Sequence, residues 1–347
     1  MDLFAGAGGL TRGLKAGGFR IIGAVESDDL AVETYQVNFP EVHLWHRDIR
    51  RVTASELMRV LRLRRGQLDL LAACPPCEGF SRIRTKNGRR RPRDPRNDLV
   101  LETLRFIKGL RPKMVLLENV PALAKNERLM LVRKELRNLG YLETVRVIDA
   151  ADYGIPQRRQ RMILLASRVN GLPSFPRERP RTTVRDVLSN LPKPGRGADP
   201  LHDHGEHRST KVIRLISSIP RNGGGRLHLS EANQLRCHLA SDGFKDVYGR
   251  MAWDSVAPTI TGGCVNPSKG RFLHPSQNRS ITLREAALLQ TFPKSHFFSL
   301  SRGKFRAAEL IGNAVPPALV RLQAVMLHKH LECAQLAETR RRRRRDV

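Results

Sequence analysis

The residues best spaced for chemistry are the two cysteines of Cys74-Pro75-Pro76-Cys77-Glu78-Gly79-Phe80-Ser81, and four readings compete for them. A redox pair needs a thioredoxin-like setting. Zinc needs further ligands at matched spacing, and Cys237, Cys264 and Cys333 are scattered along the chain. A zinc deaminase needs His-x-Glu upstream and Pro before the first cysteine, where Ala73 stands instead. The fourth reading is a nucleophilic thiol. A thiolate that adds to C6 of a pyrimidine makes C5 nucleophilic, so that C5 can take a methyl group from a sulfonium donor without a metal.

Such chemistry needs an acid near N3 of the base. Leu116-Leu117-Glu118-Asn119-Val120 offers Glu118 at the end of a buried strand, although a lone carboxylate there also suits a capping role. Downstream, in the segment 152–161, Gln157, Arg159 and Arg161 share one face of a strand by period two. Arginines so placed can hold a base carbonyl and neighbouring phosphates. At the amino end, Phe4-Ala5-Gly6-Ala7-Gly8-Gly9-Leu10 is a glycine turn running into a helix, which lets a ligand approach the backbone closely. No Lys-Ser or Lys-Thr follows, so it is not a P-loop. Glu26 ends the next strand, where a carboxylate can accept from both ribose hydroxyls of a nucleoside, and Asp48 follows the third strand, in reach of an adenine amino group. NAD is the alternative ligand, and its pyrophosphate favours a more regular G-x-G-x-x-G.

These groups must be positioned by a framework, and the apolar runs at 20–25, 42–46, 68–73 and 114–118 read as buried strands of a largely parallel sheet. Leu129, Val132, Leu136 and Leu139 recur at helical spacing before Gly140. The segments 143–149 and 162–166 are joined too tightly for a crossover helix, which predicts an antiparallel hairpin. Past Asn170 prolines and glycines multiply and periodicity fades. Order returns at Thr282 and Glu285, which have capping-box spacing, and Pro316-Pro317 introduces a last helix toward Leu331. The expected architecture is an α/β domain built from both ends of the chain (1–169 and 278–335), an insert over 170–277, and a disordered basic tail over 336–347.

Composition narrows the partner. The 347 residues carry 62 Lys and Arg against 33 Asp and Glu, a formal charge of +29. Only six of those charges lie in the run 340–345, so the body itself is basic and suits a polyanion. Five cysteines are too few for a disulfide framework. No apolar run is expected to reach the roughly 20 residues that span a bilayer, and no secretory signal precedes Asp2, so the expectation is a cytoplasmic protein without a membrane partner.

Taken in order, these blocks resemble those of the bacterial DNA cytosine-C5 methyltransferases over nearly the whole chain. The resemblance implies a doubly wound, Rossmann-like sheet that binds S-adenosylmethionine, with an inserted target-recognition domain. It also implies that Cys77 attacks C6 of a cytosine flipped from double-stranded DNA while a protonated Glu118 donates to N3 and Arg161 holds O2, with Arg159 beside it. The methyl donor is then held by Phe4, Ala5, Gly6, Gly8, Gly9, Leu10, Glu26, Ser27, Asp48, Ile49, Pro76, Leu99, Asn313 and Val315. Two departures stand out. Met1 directly precedes Asp2, which shortens the first strand relative to the family, and Glu78 stands where the family often has Gln. Cys74 reads as a packed residue without a catalytic role.

The stretch 82–96 holds eight Lys or Arg against Asp94 alone and suits DNA phosphates. Ser81, Arg82, Arg84, Lys86, Gln157, Arg226 and Thr259 are the expected DNA contacts, with the insert reading the sequence. His202, His204 and His207 are read as solvent-facing or phosphate-contacting, and no metal is expected. The resemblance further implies action as a monomer near the nucleoid and pairing with a restriction endonuclease. An RNA cytosine-C5 methyltransferase of the same architecture and a noncatalytic DNA-binding relative are the alternatives.

Overall fold

The computed structural model describes residues 1–76, 98–169, 171–197, 199–203, 208–230, 234 and 245–343. Its first elements are β1 (Asp2–Leu3), α1 (Gly9–Ala16), β2 (Gly23–Glu26), α2 (Asp29–Asn38), β3 (His43–His46), α3 (Ala54–Val60), β4 (Leu70–Ala73), α4 (Leu99–Leu110), β5 (Met114–Asn119), α5 (Glu127–Asn138), β6 (Leu142–Asp149) and β7 (Gln160–Ser167). The expected strands form, with ends shifted by up to three residues. They build one seven-stranded sheet in the order β3-β2-β1-β4-β5-β7-β6. β1 to β5 pair in parallel, whereas β7 runs antiparallel to both β5 and β6. The expected hairpin is therefore present, and its second strand is the one that joins the rest of the sheet.

Strands flanked by helices on both faces carry unbroken apolar runs, and β4 and β5 are buried along their whole length. Leu71, Phe106, Val115, Leu117 and Leu164 belong to the main apolar core. Asp28, Thr53 and Asn126 start α2, α3 and α5 by accepting backbone N–H groups with their side chains, and Leu129, Val132 and Leu136 bury the predicted face of α5. The chain order reverses at β1, so ligands are expected outside the carboxyl ends of β1, β2, β4 and β5.

The remaining helices are α6 (Val184–Leu188), α7 (Pro200–Asp203), α8 (Thr210–Ser218), α9 (Leu283–Leu289), α10 (Gly303–Asn313) and α11 (Pro317–Arg343). Thr282 and Glu285 form the predicted capping box of α9. α11 packs on α1, where a Cβ at Gly13 or Gly17 would lie within 2.4 Å of Val320 or Ala324. It continues to Arg343, which corrects the expected end near Leu331 and the expected disorder from 336 as far as that residue. No Gly or Pro interrupts 332–343 and its residues are mostly strong helix formers. A second correction concerns hydropathy: the stretch Gly303–Ala337 is long and apolar enough to cross a membrane by composition, and most of it is buried inside the fold.

Contacts divide the chain into two compact units, Met1–Asp149 with Gln160–Arg177 and Val315–Val347, and Ala150–Arg159 with Glu178–Ala314. The sequence boundaries at 170 and 277 differ from these. The reason is a knot of buried polar bonds: Arg159 donates to the carbonyls of Ile260, Gly312 and Ala314, and Gln157 donates to Leu289 O and to Gln290 Oε1. These tie the hairpin loop and the segment through Ala314 into the second unit.

Candidate functional site

In the first unit the glycine turn leaves β1 at Phe4. Phe4, Gly6 and Gly8 all adopt positive φ, at 63°, 53° and 81°. The two glycines serve different ends. A Cβ on Gly8 would strike the Phe39 ring at 2.2 Å, whereas a Cβ on Gly6 would meet nothing within 4 Å. Gly6 thus faces open space at the carboxyl edge of the sheet, and its N–H is held by Glu26 Oε2 at 2.8 Å. Glu26 Oε1 accepts from the N–H groups of Ser27 and Asp28 at 2.6 and 2.8 Å. Each carboxylate oxygen has two acceptor sites, so Glu26 fixes the turn and keeps one site, on Oε2, for a further hydroxyl donor. An open cradle above Gly6 with a fixed carboxylate beside it fits the nucleoside end of S-adenosylmethionine.

Beneath this turn lies a group that the sequence reading missed. Asp2 is fully buried, its Oδ2 accepts from Thr11 Oγ1 at 2.7 Å, and Thr11 Oγ1 also meets Tyr35 OH at 2.8 Å. Burial pushes the Asp2 carboxyl up to about 7. Asp48 differs. It caps the turn Ile49–Arg51 and is gripped by the Arg50 guanidinium, whose Nε lies 3.0 and 3.1 Å from its two oxygens. Those bonds hold the Asp48 carboxyl down at about 2.

The other expected cofactor residues divide by exposure. Phe4 and Leu99 are half-buried, and Ser27, Pro76 and Asn313 are exposed. Ala5, Leu10, Ile49 and Val315 are buried, and the Ile49 side chain lies in the main core. That position corrects any contact expected from its side chain.

At the carboxyl ends of β4 and β5, Cys74, Glu118 and Arg161 come together. β7 runs antiparallel to β5 with Ile163 opposite Glu118, so Arg161, two residues earlier on the same face, lies diagonally across from Glu118. Its Nε is 2.9 Å from Glu118 Oε1, and the carboxylate is 3% exposed. Cys74 Sγ donates to Glu118 Oε2 at 2.6 Å. The next residue of β5, Asn119, donates from Nδ2 to the Pro75 carbonyl at 3.0 Å and accepts from Val120 N–H through Oδ1. Cys77, Glu78, Ser81, Arg82, Arg84 and Lys86, with the basic stretch 82–96, lie outside the described residues.

Three expected contacts are corrected. Gln157 and Arg159 precede β7 and turn inward, and both are buried with their polar groups spent on the second unit's backbone. Arg226 is also buried, at 3% exposure. A side chain enclosed by its own unit has no reach to a DNA groove or a flipped base. Thr259 is half-buried and donates to the Arg158 carbonyl at 2.6 Å. His202 is buried between Thr282 Oγ1 and the Pro192 carbonyl, each at 2.9 Å, which corrects its solvent-facing placement. His204 and His207 lie outside the described residues. Among the described residues no group of three or more His, Cys, Asp or Glu is arranged to hold a metal.

A 3-2-1-4-5-7-6 sheet with a glycine turn after β1, an acid ending β2 and a paired carboxyl group near the end of β5 defines the Rossmann-like, S-adenosylmethionine-dependent methyltransferase fold. The profile of the C-5 cytosine-specific DNA methylases matches residues 1–327, and the chain belongs to that family. It is 35% identical to Type II methylase M.HgiDII of Herpetosiphon aurantiacus, over 96% of this chain and 95% of that protein. It is 33% identical to Type II methyltransferase M1.HphI of Haemophilus parahaemolyticus, covering 92% of this chain and 83% of the relative. Among solved structures, a protein assigned as a DNA modification methyltransferase and encoded within an Escherichia coli prophage superposes with a TM-score of 0.68 at 27% identity, covering 95% and 98% of the two chains. The protein is thus a DNA cytosine-C5 methyltransferase by family.

Proposed function

We propose that the protein methylates C5 of a cytosine flipped out of double-stranded DNA within a specific sequence, as the modification partner of a Type II restriction system. The observation that carries this reading is the buried Glu118–Arg161 pair at the carboxyl edge of the sheet, beside the segment that leads into Cys77. The names of the relatives support the restriction-modification setting.

Cys77 forms a covalent bond to C6 of the base, and Glu118 gives a proton to N3 so that charge does not build on the ring. Arg161 reaches O2 from the strand opposite and holds the Glu118 side chain in place, in line with its 2.9 Å approach to Oε1. S-adenosylmethionine supplies the electrophilic methyl group when bound. Phe4, Gly6, Glu26, Asp48, Pro76 and Leu99 are the residues that would hold it, with Glu26 on the ribose and Asp48 on the adenine amino group. Loss of the C5 proton to a water molecule and breaking of the C6–S bond then release Cys77 as a thiolate, while N3 returns its proton to Glu118. The basic stretch 82–96 supplies phosphate contacts, which act on DNA irrespective of sequence.

The test is transfer of labelled methyl from S-adenosylmethionine to unmethylated plasmid, with transfer RNA alongside and base analysis of the product. Label in 5-methylcytosine of DNA is the expected result, and label confined to RNA overturns the DNA reading. Cys77→Ser should lose transfer and retain DNA binding, so undiminished turnover in that variant removes Cys77 as nucleophile.

A further inference from the structure

We infer that Cys74 is a positioning residue for the Glu118 carboxyl, and that Cys74-Pro75 and Glu118-Asn119 form a two-point latch between β4 and β5. The inference rests on the proposed roles of Glu118 and Cys77. Its basis is that two consecutive residues after β4 are held by two consecutive residues ending β5. Cys74 Sγ donates to Glu118 Oε2 at 2.6 Å, and the Pro75 carbonyl accepts from Asn119 Nδ2 at 3.0 Å.

Each oxygen of the Glu118 carboxyl has a neighbour, an ion-pair contact on Oε1 and a hydrogen bond on Oε2. Arg161 lies against Oε1, the Cys74 thiol sits on Oε2, and the side chain is almost wholly buried. A buried carboxyl with one partner can still rotate about its last torsion, which is a broad well. A second partner on the other oxygen fixes its plane. The thiol is a weak donor in water, but the same contact strengthens where the surroundings are poorly polarisable. Cys74 is also three residues before Cys77 in the chain. The latch therefore sets the acid and the start of the nucleophile's segment against each other, and a misplacement of about 1 Å between reacting groups can cost a hundredfold in rate. An apolar residue at 74 would fill the space and leave Oε2 without this partner.

The experiment compares wild type, Cys74→Ala, Cys74→Ser, Glu118→Gln and the Cys74→Ala/Glu118→Gln double variant in the labelled-methyl assay on plasmid DNA, with melting temperatures. Cys74→Ala is expected to lower kcat by about tenfold, the scale of one lost hydrogen bond to a charged group. KM for DNA and for S-adenosylmethionine should stay unchanged, and the melting temperature should fall only by about a few degrees, since one buried oxygen loses its donor. Cys74→Ser, which keeps a donor, should recover most of the loss. In the Glu118→Gln background the alanine should cost little more, because the group it positions is already altered. Wild-type kcat in Cys74→Ala, an equal loss in both backgrounds, or no recovery by serine overturns the inference while leaving the functional reading intact. A wild type that transfers no methyl to DNA overturns both.

Discussion

The two units solve the same problem by different means. In the first, backbone polar groups are satisfied by a seven-stranded ladder and the interior is apolar. In the second, the described residues hold only isolated bridges between chain segments, such as Gln157 with Ala257 and Arg250 with Leu273. Buried arginines take the place of strands. Arg250 is fully buried and donates to the carbonyls of Ile219, His274, Gln277 and Ile216 and to Asn278 Oδ1. Arg159 serves three more carbonyls, and Arg279 and Arg284 pair with Glu285 and Asp199. A loop-rich chain cannot leave buried carbonyls unbonded, and a guanidinium offers five N–H donors in a rigid fork. A high arginine content in a DNA-acting protein is therefore not wholly a matter of DNA: some of it is internal scaffolding.

The comparison can be broken most severely at Arg250. Arg250→Met keeps much of the volume and strips the donors from several buried acceptors, which should cost about 4 kcal/mol or more. Hydrogen exchange read peptide by peptide should show protection lost through 210–280 and retained in β4 and β5. Uniform loss in both units, or none, would mean that the second unit does not depend on its arginines.

A next, smaller contrast is in pH. The folded-state carboxyl of Asp2 sits at about 7, above its ordinary value of 3.8. The contribution of this one group to the first unit's stability is thus lost as pH rises from about 4 to 7 and is level above that. Asp2→Asn, which cannot ionise, should gain on wild type by roughly 3 kcal/mol between pH 4 and pH 8. In the second unit burial pushes His274 down to about 4 from 6.5, so stability is lost as pH falls through that window. His274→Gln should gain on wild type as pH drops from 7 to 4. Melting curves of the three proteins across pH test both signs, and parallel pH dependence in the two units would sink the contrast.

The smallest effect separates conformation from ligand contact. Gly6 and Gly140 both have positive φ and open space where a Cβ would point. Alanine at either should cost about 1 kcal/mol of stability. Gly6→Ala alone should also raise KM for S-adenosylmethionine, and equal KM in the two variants would remove Gly6 from the cofactor cradle.

Much of the first unit was legible in sequence because its elements are local and periodic. The strands, the α5 face and the hairpin follow from spacing alone, and in the second unit only the α9 capping box was as plain. Glu118 and Arg161 were legible too, the first from its strand end and the second from period two. The same period misread Gln157 and Arg159, since the chain there is not yet a strand, and the side chains turn toward carbonyls more than 100 residues away. Cys74 looked inert because its partner lies 44 residues on.

What the sequence determined by itself is the order of elements and the identity of the groups that can react, because propensity, capping and apolar period act over a few residues. What tertiary structure decided is which polar side chains are free to act. Arg161 faces Glu118 and Arg159 faces the second unit's backbone, although they stand two residues apart. Their difference comes from the acceptors that folding brings beside each, and those acceptors are distant in the chain.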